Sequence, residues 1–198
     1  LQLAVTVSEA IKLSLSNLKL REELRAEAIH DPLTGLFNRR YLEETLPREL
    51  HRAQRAHSPL CVAMLDLDNF KRFNDTYGQD AGDSLLRELG RLLLGKLRKS
   101  DISCRYGGEE FVLVLPDSSA ADAKQRMEQI RGQIKELKIP HGEQVLSAIT
   151  VSAGVAQAED PPPNPSQLLR AADTALYAAK NAGRDRVMVY QAKPSRNR

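Results

Sequence analysis

Four carboxylates and two glycines mark the stretch of this chain where chemistry could be done. Asp66 and Asp68 close the apolar run Leu60-Cys61-Val62-Ala63-Met64-Leu65. Glu109 and Glu110 follow two glycines in Arg105-Tyr106-Gly107-Gly108-Glu109-Glu110-Phe111. If the apolar run is a strand lying beside the glycine turn in one sheet, the four carboxylates converge. Hard oxygen ligands beside an open turn are what a magnesium ion carrying substrate phosphates requires, so the chemistry to expect is metal-assisted phosphoryl transfer. Gly107 and Gly108 are expected to give the turn positive backbone dihedrals and, lacking side chains, to let a ligand approach the main chain. Lys71, Lys180 and Arg184 are cations of the kind that neutralises a triphosphate. Taken singly, an acid at a strand end is ordinarily just solvated, and a surface lysine or arginine carries little information.

These residues need elements to hold them. Residues 1 to 29 carry Val7, Ile11, Leu15, Leu18 and Leu24 near helical period, with charge thickening toward the end, and read as a connecting helix. Its apolar seam fits a dimerising coiled coil and a helix packed on a further domain equally well. The helix stops at Asp31-Pro32-Leu33-Thr34-Gly35, and Asn38 can cap a new helix running to about Ala56. The run from Leu60 is of strand length and apolar throughout, as a strand covered on both faces would be. Leu85, Leu86, Leu89, Leu92, Leu93 and Leu97 make residues 82 to 99 an amphipathic helix. Residues 102 to 106 and 111 to 115 read as paired strands around the glycines. A helix over 119 to 138, a strand over 147 to 156, a helix over 166 to 182 closed by Gly183, and a strand over 187 to 190 complete the domain. The order α, β, α, β, β, α, β, α, β predicts a sheet with helices packed on its faces, and residues 194 to 198 a frayed tail.

Composition narrows the class. With 198 residues, 41% hydrophobic content and a net charge of +3, the chain has enough apolar sequence for one ordinary domain and no excess of either charge that would demand a nucleic acid partner. Cys61 and Cys104 sit inside apolar runs rather than in a paired spacing, as core thiols of a reducing compartment do. No apolar stretch is long enough to span a bilayer, so a cytoplasmic domain is expected. The chain opens at Leu1 with a helical pattern already under way, which points to the C-terminal part of a longer protein, soluble or membrane-anchored. Gly90-Arg91-Leu92-Leu93-Leu94-Gly95-Lys96 has the glycine and lysine spacing of a phosphate loop. Leu97, however, stands where Ser or Thr would hold magnesium, and the run lies inside a helical pattern.

From about Ile29 to Gln191 the chain resembles the GGDEF domain family of diguanylate cyclases. The resemblance rests on separated motifs in order: Asp31-Pro32-Leu33-Thr34-Gly35-Leu36 with Asn38-Arg39-Arg40, Asp66-Leu67-Asp68-Asn69-Phe70-Lys71, and Asn74-Asp75 with Gly82-Asp83. Then come the hairpin from Arg105 to Phe111, Ser152-Ala153-Gly154-Val155, and Ala172-Asp173 through Lys180 to Gly183-Arg184. It implies an α/β sandwich of the nucleotidyl cyclase and polymerase-palm type, with a mostly antiparallel central sheet. It also implies condensation of two GTP into cyclic di-GMP and two pyrophosphates by two facing copies.

Residue by residue, the resemblance implies that Asp66, Glu109 and the carbonyl of Leu67 hold magnesium, or manganese in its place. Glu110 would assist the metal or deprotonate the attacking hydroxyl, and Lys71 would act on the phosphates during the reaction. Lys180 and Arg184 would bind phosphate, with Phe70, Arg105, Gly107 and Gly108 also lining the substrate. Asn74 and Asp83 would read guanine, whose N1 and N2 donors suit a carboxylate. Gln79 stands where members commonly carry His, and its amide can likewise donate and accept hydrogen bonds to base or ribose. Arg98 and Asp101 match an Arg-x-x-Asp site through which the product inhibits the enzyme. The leading helix is similar to the closing helix of a GAF-type sensor, implying an upstream sensor domain. Two other readings compete: a noncatalytic receptor for GTP or cyclic di-GMP, and a dimerisation scaffold that binds no nucleotide.

Overall fold

The computed structural model describes residue 12 and residues 29–147, 149–159 and 164–191. Most of the connecting helix expected over 1 to 29, the tail, and part of the Pro-rich loop lie outside the described residues. At the domain entrance the chain turns through Pro32–Thr34 into β1 (Phe37–Asn38) and α1 (Arg39–Ala56). The Asn38 side chain accepts from the Tyr41 amide at 3.0 Å, the cap its position foretold. Next come β2 (Leu60–Leu67), the short helix α2 (Phe70–Tyr77) and α3 (Gln79–Lys96). The hairpin β3 (Ile102–Gly107) and β4 (Glu110–Pro116) leads to α4 (Ala120–Lys135). A small hairpin, β5 (Lys138–His141) and β6 (Gln144–Ser147), precedes β7 (Val151–Gln157), α5 (Pro165–Asn181) and β8 (Val187–Val189).

Six of the strands form one sheet in the order β1-β3-β4-β2-β7-β8, with β2 antiparallel to both β4 and β7, β3 antiparallel to β4, and the two edge pairings parallel. This is the mostly antiparallel α/β sandwich expected. All eight residues of β2 are buried because helices cover both faces of the sheet at its centre. Alternate residues serve alternate cores. Cys61, Ala63, Leu65 and Leu67 join Phe111, Leu113 and Leu115 against α3 and α4. Leu60, Val62 and Met64 join Val112 and Val114 against α1 and α5. Each of the large side chains withdrawn from water here contributes about 1.5–3 kcal/mol before the entropy of ordering it.

Three details depart from the expected elements. Helix α3 begins at Gln79, because Gly78, at φ 86°, breaks the chain between α2 and α3; it ends at Lys96, where Leu97 turns extended. Edge strand β1, helix α2 and the β5–β6 hairpin were not foreseen, and the strand expected over 147 to 156 is two pieces, Ser147 ending β6 and β7 starting at Val151. The phosphate-loop lookalike at 90 to 96 is helical. Its Gly90 lies so close to the turn that a Cβ there would stand 2.4 Å from the Thr34 carbonyl, so this glycine serves packing. No helix among the described residues is long and apolar enough to cross a membrane.

Candidate active site

The β2–β4 ladder sets Asp66 directly opposite Glu110. By alternation both continue the α1- and α5-facing side of the sheet, two residues beyond Met64 and Val112. Asp66 is 6% exposed. Burial pushes its carboxyl above the usual range, with the Lys180 ammonium, 2.8 Å away, offsetting part of that rise. Glu110 is raised too, first by burial and then by the charge of Asp66, with Asp173 and Glu109 adding to it and Lys180 opposing. Lys180 reaches this pair because α5 lies unusually low on the sheet. A Cβ on Gly154 of β7 would come within 2.1 Å of the Ala172 carbonyl and the Leu176 amide, so only glycine admits the helix at that height. Ala172, Ala175 and Ala179 on α5 are buried.

Asp68 does not join this cluster. At 2% exposure its carboxylate accepts from Thr150 Oγ1 at 2.7 Å, Ser152 Oγ at 2.8 Å and the Asp185 amide at 3.1 Å, so it is a structural acceptor set apart from the Asp66–Glu110 pair. Glu109 occupies the turn, its carbonyl accepting from the Leu67 amide at 3.4 Å. The turn glycines are also corrected: neither Gly107 nor Gly108 has a positive φ. A Cβ on Gly108 would meet nothing within 4 Å, so the main chain there borders open space.

Arg105 is turned inward. Its Nε and Nη2 donate to the Gly108 carbonyl at 3.0 and 2.9 Å while Nη1 donates to both oxygens of Asp31 at 3.3 and 3.2 Å. The guanidinium expected to line substrate therefore clamps the glycine turn to the Asp31 turn. Burial alone would raise the Asp31 carboxyl, yet hydrogen bonds from the Thr34 side chain and amide, with Arg105, bring it below its ordinary value. Phe70 is likewise core, 8% exposed, its ring beneath Gly82.

Asn74 and Asp83 come together where α2 meets α3. A Cβ on Gly82 would stand 1.9 Å from Asn74 Oδ1, so the bare glycine is what lets the amide lie there; that oxygen is buried without a hydrogen-bond partner. Asp83 is half exposed, 3.9 Å from Arg87. Gln79 and Lys71 are exposed on the first turns of α3 and α2, and Arg184 is exposed beyond α5. Beside Glu110, on the α5 side, opens a hollow of about 610 Å³ lined by Met64, Tyr106, Leu169, Arg170 and Asp173. A larger one, about 720 Å³, lies between α5 and β8 and holds no acid pair of this kind, so volume alone does not mark the site.

The Arg98–Asp101 segment forms a second polar centre. Asp101 accepts from the Arg98 amide at 2.6 Å and from Arg126 of α4, a residue that no sequence motif singles out. Asp101 Oδ1 and Arg126 Nη1 are both buried without partners. Arg98 and Arg126 line a hollow of about 320 Å³. Burial holds the Cys61 and Cys104 thiols up to about 12, as inert core thiols.

The residues present fit a divalent cation. Asp66 and Glu110 are desolvated carboxylates that repel one another, and magnesium is commonly held by one or two carboxylates with substrate phosphates completing the shell. Among the described residues no three His, Cys, Asp or Glu side chains form a metal cage by themselves.

A helix-covered, mostly antiparallel sheet with an acid pair and a lysine at the end of its central ladder, beside a glycine turn, defines the class. The chain belongs to the diguanylate cyclase GGDEF domain family, whose model matches residues 28–186. It is 40% identical over 163 residues to the response regulator PleD of Caulobacter vibrioides, covering 81% of this chain and 36% of PleD. It is 38% identical over 195 residues to the diguanylate cyclase DosC of Escherichia coli, covering 97% of this chain and 41% of DosC. The chain thus spans well under half the length of these curated relatives. Among solved structures, the coiled coil and GGDEF domain of DgcB from Caulobacter crescentus, in complex with c-di-GMP, superposes with a TM-score of 0.86 at 29% identity, covering 96% of this chain and all of that one. The active GGEEF domain of a Vibrio cholerae diguanylate cyclase matches with a TM-score of 0.72 at 33% identity over 79% of this chain and 98% of that one.

Proposed function

We propose that this chain condenses two GTP into cyclic di-GMP and two pyrophosphates, each of two facing copies supplying half of the site, and that the product inhibits it at Arg98 and Asp101. The observation that carries this reading is the opposition of Asp66 and Glu110 across the β2–β4 ladder, with the Lys180 ammonium 2.8 Å from Asp66. Membership of the family and the c-di-GMP complex of DgcB support it.

Magnesium, or manganese, held by Asp66, Glu109, Glu110 and the Leu67 carbonyl would polarise the phosphoryl oxygens. Lys71, Lys180 and Arg184 neutralise the triphosphate, and the bare Gly108 lets it approach the main chain. Glu110, opposite Asp66 on the ladder, would take the proton of the ribose 3′-hydroxyl as that oxygen attacks the α-phosphorus of the facing GTP. Pyrophosphate leaves. Asp83 accepts from guanine N1 and N2, and the unpartnered Asn74 Oδ1 is an acceptor to which a small rotation of the amide would bring a donor of the base. At the inhibitory centre, the exposed Arg98 guanidinium would donate to a guanine edge or phosphate of the product, and Arg126 lines the same hollow.

Incubation of the chain with GTP and magnesium, resolved by chromatography, is expected to yield cyclic di-GMP and pyrophosphate. Folded protein at high concentration that yields neither would overturn the reading. A noncatalytic receptor would bind nucleotide without turnover, and a scaffold would bind none.

A further inference from the structure

The loop that closes α5 is held in a conformation its residues resist. Gly183, Arg184 and Asp185 follow one another at φ 109°, 62° and 48°, and two of the three carry a Cβ. Left-handed backbone is disfavoured for such residues, so two in succession persist only where the surroundings over-determine them. Here they do. The Arg184 amide donates to the Ala179 carbonyl at 3.1 Å, the Asp185 amide donates to buried Asp68 at 3.1 Å, and the Arg184 carbonyl accepts from Arg186 Nε at 2.9 Å. The Asp185 carboxylate spends both oxygens on α4, taking Arg131 on one and Lys135, at 2.8 Å, on the other. The main chain on either side of Arg184 is thereby fixed from three directions. The Arg184 guanidinium, by contrast, makes no hydrogen bond or ion pair among the described residues, and its charge is felt at Asp66.

We propose that Asp185 is a positioning residue for phosphate binding: by tying the loop to Arg131 and Lys135 it maintains the left-handed backbone that aims Arg184 at the nucleotide's phosphates. The inference rests on the reading of Arg184 as a phosphate ligand. A surface ion pair of ordinary kind would be dispensable for binding. What distinguishes this one is that it secures a strained segment carrying a cation that pairs with no described residue and whose charge reaches Asp66.

The test uses the full chain with magnesium and α,β-methylene GTP, which binds without reacting, with guanosine as a probe lacking phosphates. Asp185→Asn keeps the side chain's size and its tolerance of left-handed backbone but removes the charge. It should weaken the analogue roughly tenfold, the order of one charge-assisted contact, and leave guanosine within about twofold. The double variant of Arg131→Ala with Lys135→Ala should behave as Asp185→Asn does. In an Arg184→Ala background, Asp185→Asn should cost less than about twofold, since a residue acting through Arg184 has nothing left to position. If Arg184→Ala weakens the analogue while Asp185→Asn does not, or if Asp185→Asn costs the same with and without Arg184, the positioning role is overturned. If Arg184→Ala binds the analogue as the unmodified chain does, the phosphate role itself fails and takes this inference with it.

Discussion

Lys180 places its ammonium 2.8 Å from Asp66 Oδ2, bridging the last turn of α5 to the end of β2. The lysine neutralises a carboxylate that burial disfavours, at the place where a divalent ion would do the same. Removing it should act in two ways. Lys180→Ala lets the Asp66 carboxyl rise further, and a protonated Asp66 cannot hold a cation. The acid limb of the kcat/KM profile should therefore move to higher pH, because activity falls as pH drops through a pKa that is already raised and would be raised more. KM for GTP should also rise about tenfold through the lost phosphate contact. An acid limb that stays in place would show that Lys180 does not govern Asp66.

Asp66→Asn and Glu109→Ala should each reduce turnover by at least about a hundredfold. For Asp66 the stability outcome is the discriminating one. A carboxyl whose folded pKa lies above its unfolded value costs stability once ionised, so Asp66→Asn should unfold at an equal or higher temperature near neutral pH. Loss of activity with a lowered Tm would point instead to damage of the fold.

Asp68 is expected to fail differently. Asp68→Ala leaves the Thr150 and Ser152 hydroxyls and the Asp185 amide without their acceptor, at a cost of about 2–4 kcal/mol read from the midpoint of urea unfolding. A midpoint close to that of the unmodified chain would refute the structural role.

That contrast between Asp66 and Asp68 shows what the sequence makes legible. The uninterrupted apolar run Leu60–Leu65 is enough to see a central strand covered on both faces and ending in acids, and the strand pattern on either side of Gly107-Gly108 is enough to see a hairpin. Alternation would put both acids on one side of the strand, yet the strand ends at Leu67, and Asp68 is bent into hydrogen bonds with residues 82 and more positions away that no local pattern reveals. The same holds for Arg126, whose partner Asp101 lies 25 residues back. Helix α2 is eight residues with an uncapped left-handed Asn69 before it, and β5 contains Pro140, so neither presents the usual start or alternation. Gly107 and Gly108 do not adopt the positive φ their identity suggests, because glycine in a turn does not by itself specify the backbone region used.

The clamp from Asp31 through Arg105 to Gly108 gives a prediction with a defined pH dependence. The folded Asp31 carboxyl is lowered, so its contribution to stability is present above the unfolded carboxylate pKa and is lost as pH falls through the lower folded value. Asp31→Asn should therefore lower Tm near neutral pH, with the gap to the unmodified chain closing as pH is taken down through the acid range. Since Arg105 then holds the turn alone, kcat should also fall, by about five- to tenfold. A gap that is constant with pH would mean that the ionised carboxylate is not what stabilises the turn.

At the second polar centre, the pairing of Asp101 with Arg126 extends the inhibitory reading from two residues to three. Arg98→Ala should relieve inhibition by added cyclic di-GMP while preserving initial rate. Arg126→Ala should do so as well, because it removes a guanidinium that lines the same hollow and whose Nη1 has no partner among the described residues. The two variants differ in their effect on the fold. Arg98 is exposed, so its loss should leave Tm nearly unchanged. Arg126 neutralises an Asp101 side chain that is fully buried, so its loss should lower Tm and leave Asp101 dependent on the Arg98 amide. Inhibition curves at fixed GTP, with thermal unfolding of each variant, read both effects. An Arg126→Ala chain that is destabilised yet inhibited as strongly as the unmodified one would confine Arg126 to holding Asp101 and remove it from the site.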